Sequence, residues 1–165
     1  MTNARLEVFR MRGFDLEPMT PVTAKILGPL LSGIDPWARY AYTGGALTTF
    51  LAGEEAGAPR FAIKVDRVIA GAVGIRNNWL RGPYLQFLGI LPAYQSHGIG
   101  GSILDWIEAE ARNTDAQNLW VVASEFNARA MSFYERHGFS RIATLTDLVV
   151  EGSCEVLLRK RLVAV

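Results

Sequence analysis

The chain has 165 residues, of which 17 are Lys or Arg and 16 are Asp or Glu, for a formal charge of +1. Half of it is hydrophobic and a fifth is charged, which is globular composition, and the length predicts a single domain over 1–165 at ~150 residues per domain. So balanced a charge sets up no field to hold a polyanion, which excludes wholesale nucleic-acid binding. Cys154 is the one cysteine, so no internal disulfide framework exists. His97 and His137 are too few for a histidine metal cage, and no metal is expected. No apolar run reaches the ~20 residues of a membrane span, and Met1-Thr2-Asn3-Ala4-Arg5 lacks a signal-peptide core. The expectation is a soluble cytoplasmic domain with no membrane partner.

Residues 5–11 alternate, with Leu6, Val8 and Phe9 among Arg5, Glu7 and Arg10, and predict a first strand. Pro18 and Pro21 bracket a turn, and Thr20 caps a helix over about 22–31. A loop with Trp37 follows, then a short helix from Ala46 to Glu54 after Gly44-Gly45. Gly53–Pro59 reads as a flexible turn. Phe61–Val65 and Val68–Ile75 flank a tight hairpin at Asp66-Arg67. After a turn over Asn77–Gly82, Tyr84–Leu91 is a mostly apolar, central strand that Pro92 stops. A helix runs from about Gly98 to Asn113, with Ile99, Ile103, Trp106 and Ile107 on one face. Leu119–Ala123 is a short buried strand. Asn127 caps a helix to His137 that Gly138 ends. Strands over about 139–146 and 154–161, joined at Glu151-Gly152, close the chain. The order β-α-α-β-β-β-α-β-α-β-β is one mixed α/β domain without a linker.

The most informative stretch runs from Leu88 through Gly89, Ile90, Gln95, Ser96, His97, Gly98, Ile99, Gly100 and Gly101 to Ser102. Three glycines stand where a helix begins, although each costs ~1 kcal/mol against alanine in a helix interior. Helix N-termini carry unpaired N–H groups and the positive dipole end, and without side chains a phosphate can reach them. The simpler reading is a strand-to-helix turn that uses Gly98 for φ > 0. A Walker A loop is excluded, because no Lys-Ser/Thr pair follows. The dinucleotide fingerprint is excluded, because its third glycine position is Ile103. The pattern Q/R-x-x-G-x-G/A does fit, on Gln95, Gly98 and Gly100. It resembles motif A of the GNAT superfamily of acyl-CoA-dependent N-acyltransferases.

A second block matches N-x-x-A-x-x-F-Y-x-x-x-G-F on Asn127, Ala130, Phe133, Tyr134, Gly138 and Phe139. From the residues alone Asn127 is a helix cap and the two rings are core. The run also resembles the second GNAT signature, ~30 residues after the glycine turn. The likeness covers about 60–161, and the first ~55 residues fit it only in outline. It implies a mostly antiparallel central sheet splayed between the fourth and fifth strands.

The resemblance also implies a chemistry. Backbone N–H groups of 96–102 would take the phosphates of coenzyme A, and Leu88–Ile90 would pair with the pantetheine arm like an added strand, with Gly89 keeping that edge approachable. The Ile90 N–H would face the developing oxyanion, a contact worth ~3 kcal/mol in other enzymes. Tyr134 would donate a proton or a hydrogen bond to the leaving thiolate, a thiol having pKa ~8.5 and a phenol ~10. Asn127 and Phe133 would join the cofactor site. An alkylammonium, pKa ~10.4, must lose a proton. The strand position some GNAT families give to a glutamate falls here on Tyr84 or Gln86, neither a carboxylate, and Glu125 is the replacement candidate. Trp37, Tyr40 and Tyr42 crowd the loop that walls the acceptor site in this fold, and from the residues alone read as a small satellite core under a long loop. Trp37, Tyr40 and Tyr84 form the expected acceptor site.

The expectation is an N-acetyltransferase that moves acetyl from acetyl-CoA to a primary amine by direct attack in a ternary complex. Cys154 lies outside both motifs and reads as a structural thiol rather than a nucleophile. The acceptor would be a small-molecule or a protein or peptide amine, and the protein a monomer or homodimer. The rival of a different class is a non-catalytic acyl-CoA sensor or interaction module of the same fold.

Overall fold

Gly13 lies at φ +90°, a conformation that glycine adopts without strain, and there the chain reverses between two short strands. In the computed structural model, which describes residues 7–162, the elements are β1 (Phe9–Met11), β2 (Phe14–Pro18), α1 (Pro21–Ser32), α2 (Gly44–Ala52), β3 (Arg60–Val65), β4 (Val68–Arg76), β5 (Tyr84–Ile90), α3 (Ile99–Arg112), β6 (Asn118–Ser124), α4 (Ala128–Arg136), β7 (Ser140–Thr146) and β8 (Cys154–Arg161). A single 3₁₀ turn spans Pro92–Tyr94. The eight strands lie in the order β1-β2-β3-β4-β5-β6-β8-β7. The mixed, mostly antiparallel α/β fold is the expected one, with a correction at its start. The single opening strand over 5–11 is a hairpin, β1 paired antiparallel with β2, and Arg5 and Leu6 of that expectation lie outside the described residues. No described helix is long and apolar enough to cross a membrane.

The described chain divides into two compact units: the chain up to Ile75 with Phe87–Ile99, and Arg76–Gln86 with the chain from Gly100. In the first, Thr20 caps α1 by accepting from the Thr23 N–H at 3.1 Å. Its core joins Ala24, Leu27 and Leu31 of α1 and Leu47 and Leu51 of α2 to Ala62, Ala72 and Phe87, each buried leucine contributing about 2 kcal/mol. The two helices cross at glycines. A Cβ at Gly28 would fall 2.0 Å from Thr48 Oγ1, and one at Gly44 2.9 Å from the Pro29 Cα. That close approach corrects the start of the second helix from Ala46 to Gly44, with Thr43 as its cap, and Ala52, not Glu54, ends it. Asp66 and Arg67 take the tight β3–β4 turn at φ +47° and +66°.

In the second unit β6 pairs with β8 along all seven of its residues, and β7 flanks β8. β5 runs parallel to β6 but pairs with it only through Tyr84↔Trp120 and Leu85↔Val121. The ladder stops there, at the strands the sequence likeness implied would splay. Ile103, Leu104 and Ile107 of α3 are buried, with Leu119 and Val121 of β6 and Leu158 of β8. Asn127 caps α4, and Gly138 just beyond it sits at φ +88°.

Candidate active site

β5 alternates along its length. Tyr84, Gln86, Leu88 and Ile90 keep some exposure, while Leu85, Phe87 and Gly89 are buried. In the first unit the Trp37 ring stacks on Phe87, 4.4 Å between centroids and 19° between planes. A Cβ at Gly89 would meet Leu31 Cδ2 at 2.7 Å and Trp37 Cη2 at 3.0 Å. Gly89, assigned from sequence to keeping the strand edge approachable, therefore has a packing reason. Trp37, partly buried, packs against the core cluster. Tyr40 is half-buried and Tyr42 exposed.

After Ile90 the chain turns sharply. The Leu91 N–H donates to the Ala70 carbonyl at 2.8 Å, and the Gln95 side-chain amide donates to the Ile90 carbonyl at 2.8 Å. Gln95 thus braces the turn against the end of its strand. Ser96 and Gly98 follow at φ +63° and +80°. A Cβ at Gly98 would meet nothing within 4 Å, so the backbone conformation is what requires glycine there. His97 and Gly98 are exposed and Ile99 is buried. α3 starts at Ile99, and helix geometry leaves the first-turn N–H groups without intrahelical acceptors, at the positive end of a dipole.

In the second unit the first turn of α3 carries Gly100, Gly101 and half-buried Ser102. A Cβ at Gly101 would lie 2.9 Å from His137 Nε2. Two of the three turn glycines thus have distinct reasons: conformation at Gly98, close approach at Gly101. His137, the residue at which the sequence ends the Asn127-capped helix, is a packing neighbour of α3, its Nδ1 donating to the Phe133 carbonyl at 2.8 Å. Asn127 Oδ1 accepts from the Ala130 N–H at 3.1 Å, its cap bond. Phe133 meets Tyr134 edge-on at 5.1 Å.

Tyr134 is buried on the last turn of α4, beside Phe139 at 5.6 Å. Burial pushes its phenol far above the ordinary range, and nearby Tyr84 adds to the shift. The hydroxyl therefore stays protonated at any physiological pH. Burial raises Tyr84 too, with the Arg76 charge pulling the other way. The Tyr84 ring lies 4.9 Å from Trp79, which is 5.5 Å from Trp120. Sequence reasoning marked the Asn77–Arg81 turn without singling out Trp79 or Arg76; an aromatic in a tight turn was the available signal. The turn is tied down. Leu80 and Arg81 sit at φ +45° and +65°, and the Leu80 carbonyl accepts from Asn118 Nδ2 and Trp120 Nε1.

Glu125 is exposed just past β6, and its N–H donates to the Cys154 carbonyl at 3.0 Å. The Cys154 thiol is pushed up by desolvation and by Glu125, Asp147 and Glu155, against the thiolate a nucleophile needs.

Over residues 29–139 the chain matches the model of the acetyltransferase (GNAT) family. That is most of its length, and it belongs to this family; it is an acyltransferase. Its fold is similar to that of an acetyltransferase from Thermus thermophilus, with TM-score 0.72, 17% identity and 93% and 99% of the two chains covered. The ribosomal-protein-S18-alanine N-acetyltransferase of Escherichia coli is similar at TM-score 0.70 and 15% identity, over 92% and 96%. A nourseothricin acetyltransferase is 23% identical over 66% and 67%, at TM-score 0.60.

Proposed function

We propose that this chain transfers an acetyl group from acetyl-CoA to a primary amine by direct attack in a ternary complex. The observation that carries the reading is Tyr134, a buried hydroxyl kept protonated by its surroundings at the position where the family signature has its tyrosine. The amine nitrogen attacks the thioester carbonyl and a C–N bond forms. The C–S bond breaks, and the protonated Tyr134 hydroxyl donates a hydrogen bond to the departing thiolate. The nitrogen loses one proton to solvent and coenzyme A takes one from solvent, which balances the step. Backbone N–H groups at the start of α3 are the proposed phosphate holders, and the Ile90 N–H the proposed oxyanion donor. β5 carries no carboxylate, so the nitrogen's proton leaves through water to Glu125, whose exposure supports that route.

Two of the similar structures are named for acetylation of nourseothricin and of ribosomal-protein-S18 alanine. A panel of nourseothricin, spermidine, L-lysine and a peptide beginning with alanine therefore tests the reading, with thiol release from acetyl-CoA followed. Acceptor-dependent release that falls about 100-fold or more in Tyr134→Phe supports it. Tight binding of coenzyme A with no acceptor-dependent release identifies a binding module instead. Absence of coenzyme A binding sinks both.

A further inference from the structure

β5 carries no carboxylate but does carry an amide. Gln86 is half-buried on β5, on the side shared with Tyr84, Leu88 and Ile90. Its Oε1 is shut away from solvent and accepts no hydrogen bond among the described residues. A buried acceptor left without a donor is uncommon, because it loses its water and gains nothing. Such a group calls for an explanation, and a ligand that supplies the missing donor is one.

The surroundings say what kind of partner. Gln86 is the first β5 residue past the end of the β5–β6 ladder, whose last pair is Leu85↔Val121. One turn of the pleat away on the same side stands Tyr84, with the Trp79 ring against it at 4.9 Å. An amide oxygen only accepts, so its partner is an N–H or O–H donor and not a carboxylate or phosphate. The last torsion of a glutamine is broad and soft, so the oxygen can turn to an incoming donor without movement of the strand.

We propose that Gln86 is an acceptor-binding residue, its side-chain oxygen taking an N–H of the amine substrate. The assignment rests on the acyl-transfer reading above. It makes the enzyme selective for acceptors with an unblocked amine, and it orients the nitrogen by a hydrogen bond that leaves the proton in place, unlike a carboxylate base.

The test uses the full chain and the panel amine with the highest kcat/KM. Gln86→Met keeps the volume and removes the acceptor atom. It is expected to raise KM for that amine about 10- to 100-fold, to leave the Kd for acetyl-CoA unchanged, and to raise Tm, because an unsatisfied buried atom has gone. Gln86→Glu keeps an oxygen at the same place and is expected to hold KM within about threefold of wild type. A higher Tm with unchanged KM in Gln86→Met means the amide is structural and overturns the assignment. Equal losses in both variants overturn it as well, and Gln86→Glu keeps the question answerable should the methionine variant misfold. A wild type with no acceptor-dependent release overturns the acyl-transfer reading and this assignment with it; a working wild type with an unaffected methionine variant overturns the assignment alone.

Discussion

A Cβ on Gly101 would stand 2.9 Å from Nε2 of His137, and the imidazole cannot simply swing aside, because its Nδ1 is held by the Phe133 carbonyl. Alanine is favoured over glycine in a helix by up to ~1 kcal/mol. Crowding at this contact reverses that sign. Gly101→Ala is expected to destabilise by about 1 kcal/mol, and to become neutral or stabilising in a His137→Ala background. Urea unfolding of the four proteins of that cycle measures the coupling, and additive effects would refute the contact.

Tyr134 should ionise very late. A group whose folded pKa is raised keeps its proton past the ordinary value, so the fold loses stability only as pH rises above the ~10 of a free phenol. The chain has five tyrosines. Absorbance at 295 nm near pH 10.5 is therefore expected to show less phenolate in the folded chain than in the unfolded one, with Tyr134 contributing none and burial acting in the same direction on Tyr84. Tyr134→Phe should leave the folded-state signal unchanged. A drop in that signal would mean the hydroxyl is not desolvated.

Coenzyme A affinity should depend weakly on salt. The turn Gln95–Gly101 contains no Lys or Arg, and a phosphate held by helix N–H groups and turn amides displaces few cations' worth of screening. Isothermal titration between 50 and 300 mM NaCl is expected to change Kd less than about threefold. A steep loss would assign the phosphates to cations elsewhere in the chain.

Cys154 should react slowly. Desolvation and the carboxylates Glu125, Asp147 and Glu155 all raise its thiol pKa, which lowers the thiolate fraction at neutral pH. Iodoacetamide at pH 7.5 is expected to label it more slowly than free cysteine, with rates that climb beyond pH 9, and alkylation-resistant Cys154→Ala should retain acetyl transfer. Loss of transfer in that variant would point to an acyl-cysteine route.

Gly89→Ala tests packing against cofactor access. The added methyl would push on Leu31 and Trp37 and unseat Trp37 from its 4.4 Å stack on Phe87. A loss of about 1–3 kcal/mol with altered tryptophan emission is expected. Unchanged stability with weakened coenzyme A binding alone would favour the open-edge explanation.

Much of the framework was legible because it is written in short-range hydrogen bonds. The Thr20 cap needs only Thr23, and the Asn127 cap only Ala130. The left-handed Gly98 and Gly138 each terminate or start a helix within their own turn. The opening hairpin was missed because the alternation of residues 5–11 does not show that Gly13 reverses the chain. The start of α2 was missed because Gly44 and Gly45 look like breakers, and the use of Gly44 depends on Pro29 and Gly28, some sixteen positions earlier along the chain. At the site, motif spacing picked out Tyr134 and Gln95. It did not reveal that Gln95 bonds the Ile90 carbonyl, or that Trp37 lies against Phe87.

By itself the sequence determined the near-neutral charge, the single thiol, the glycine turn without cations and the two motifs that carry the family, since composition and spacing along one chain suffice for these. Only the tertiary structure decided what surrounds each group. The protonated state of Tyr134, the crowding that demands Gly89 and Gly101, and the unsatisfied oxygen of Gln86 all depend on desolvation and close contact. Those are set by residues brought together from distant parts of the chain, as Gly101 is with His137 and Gly89 with Trp37.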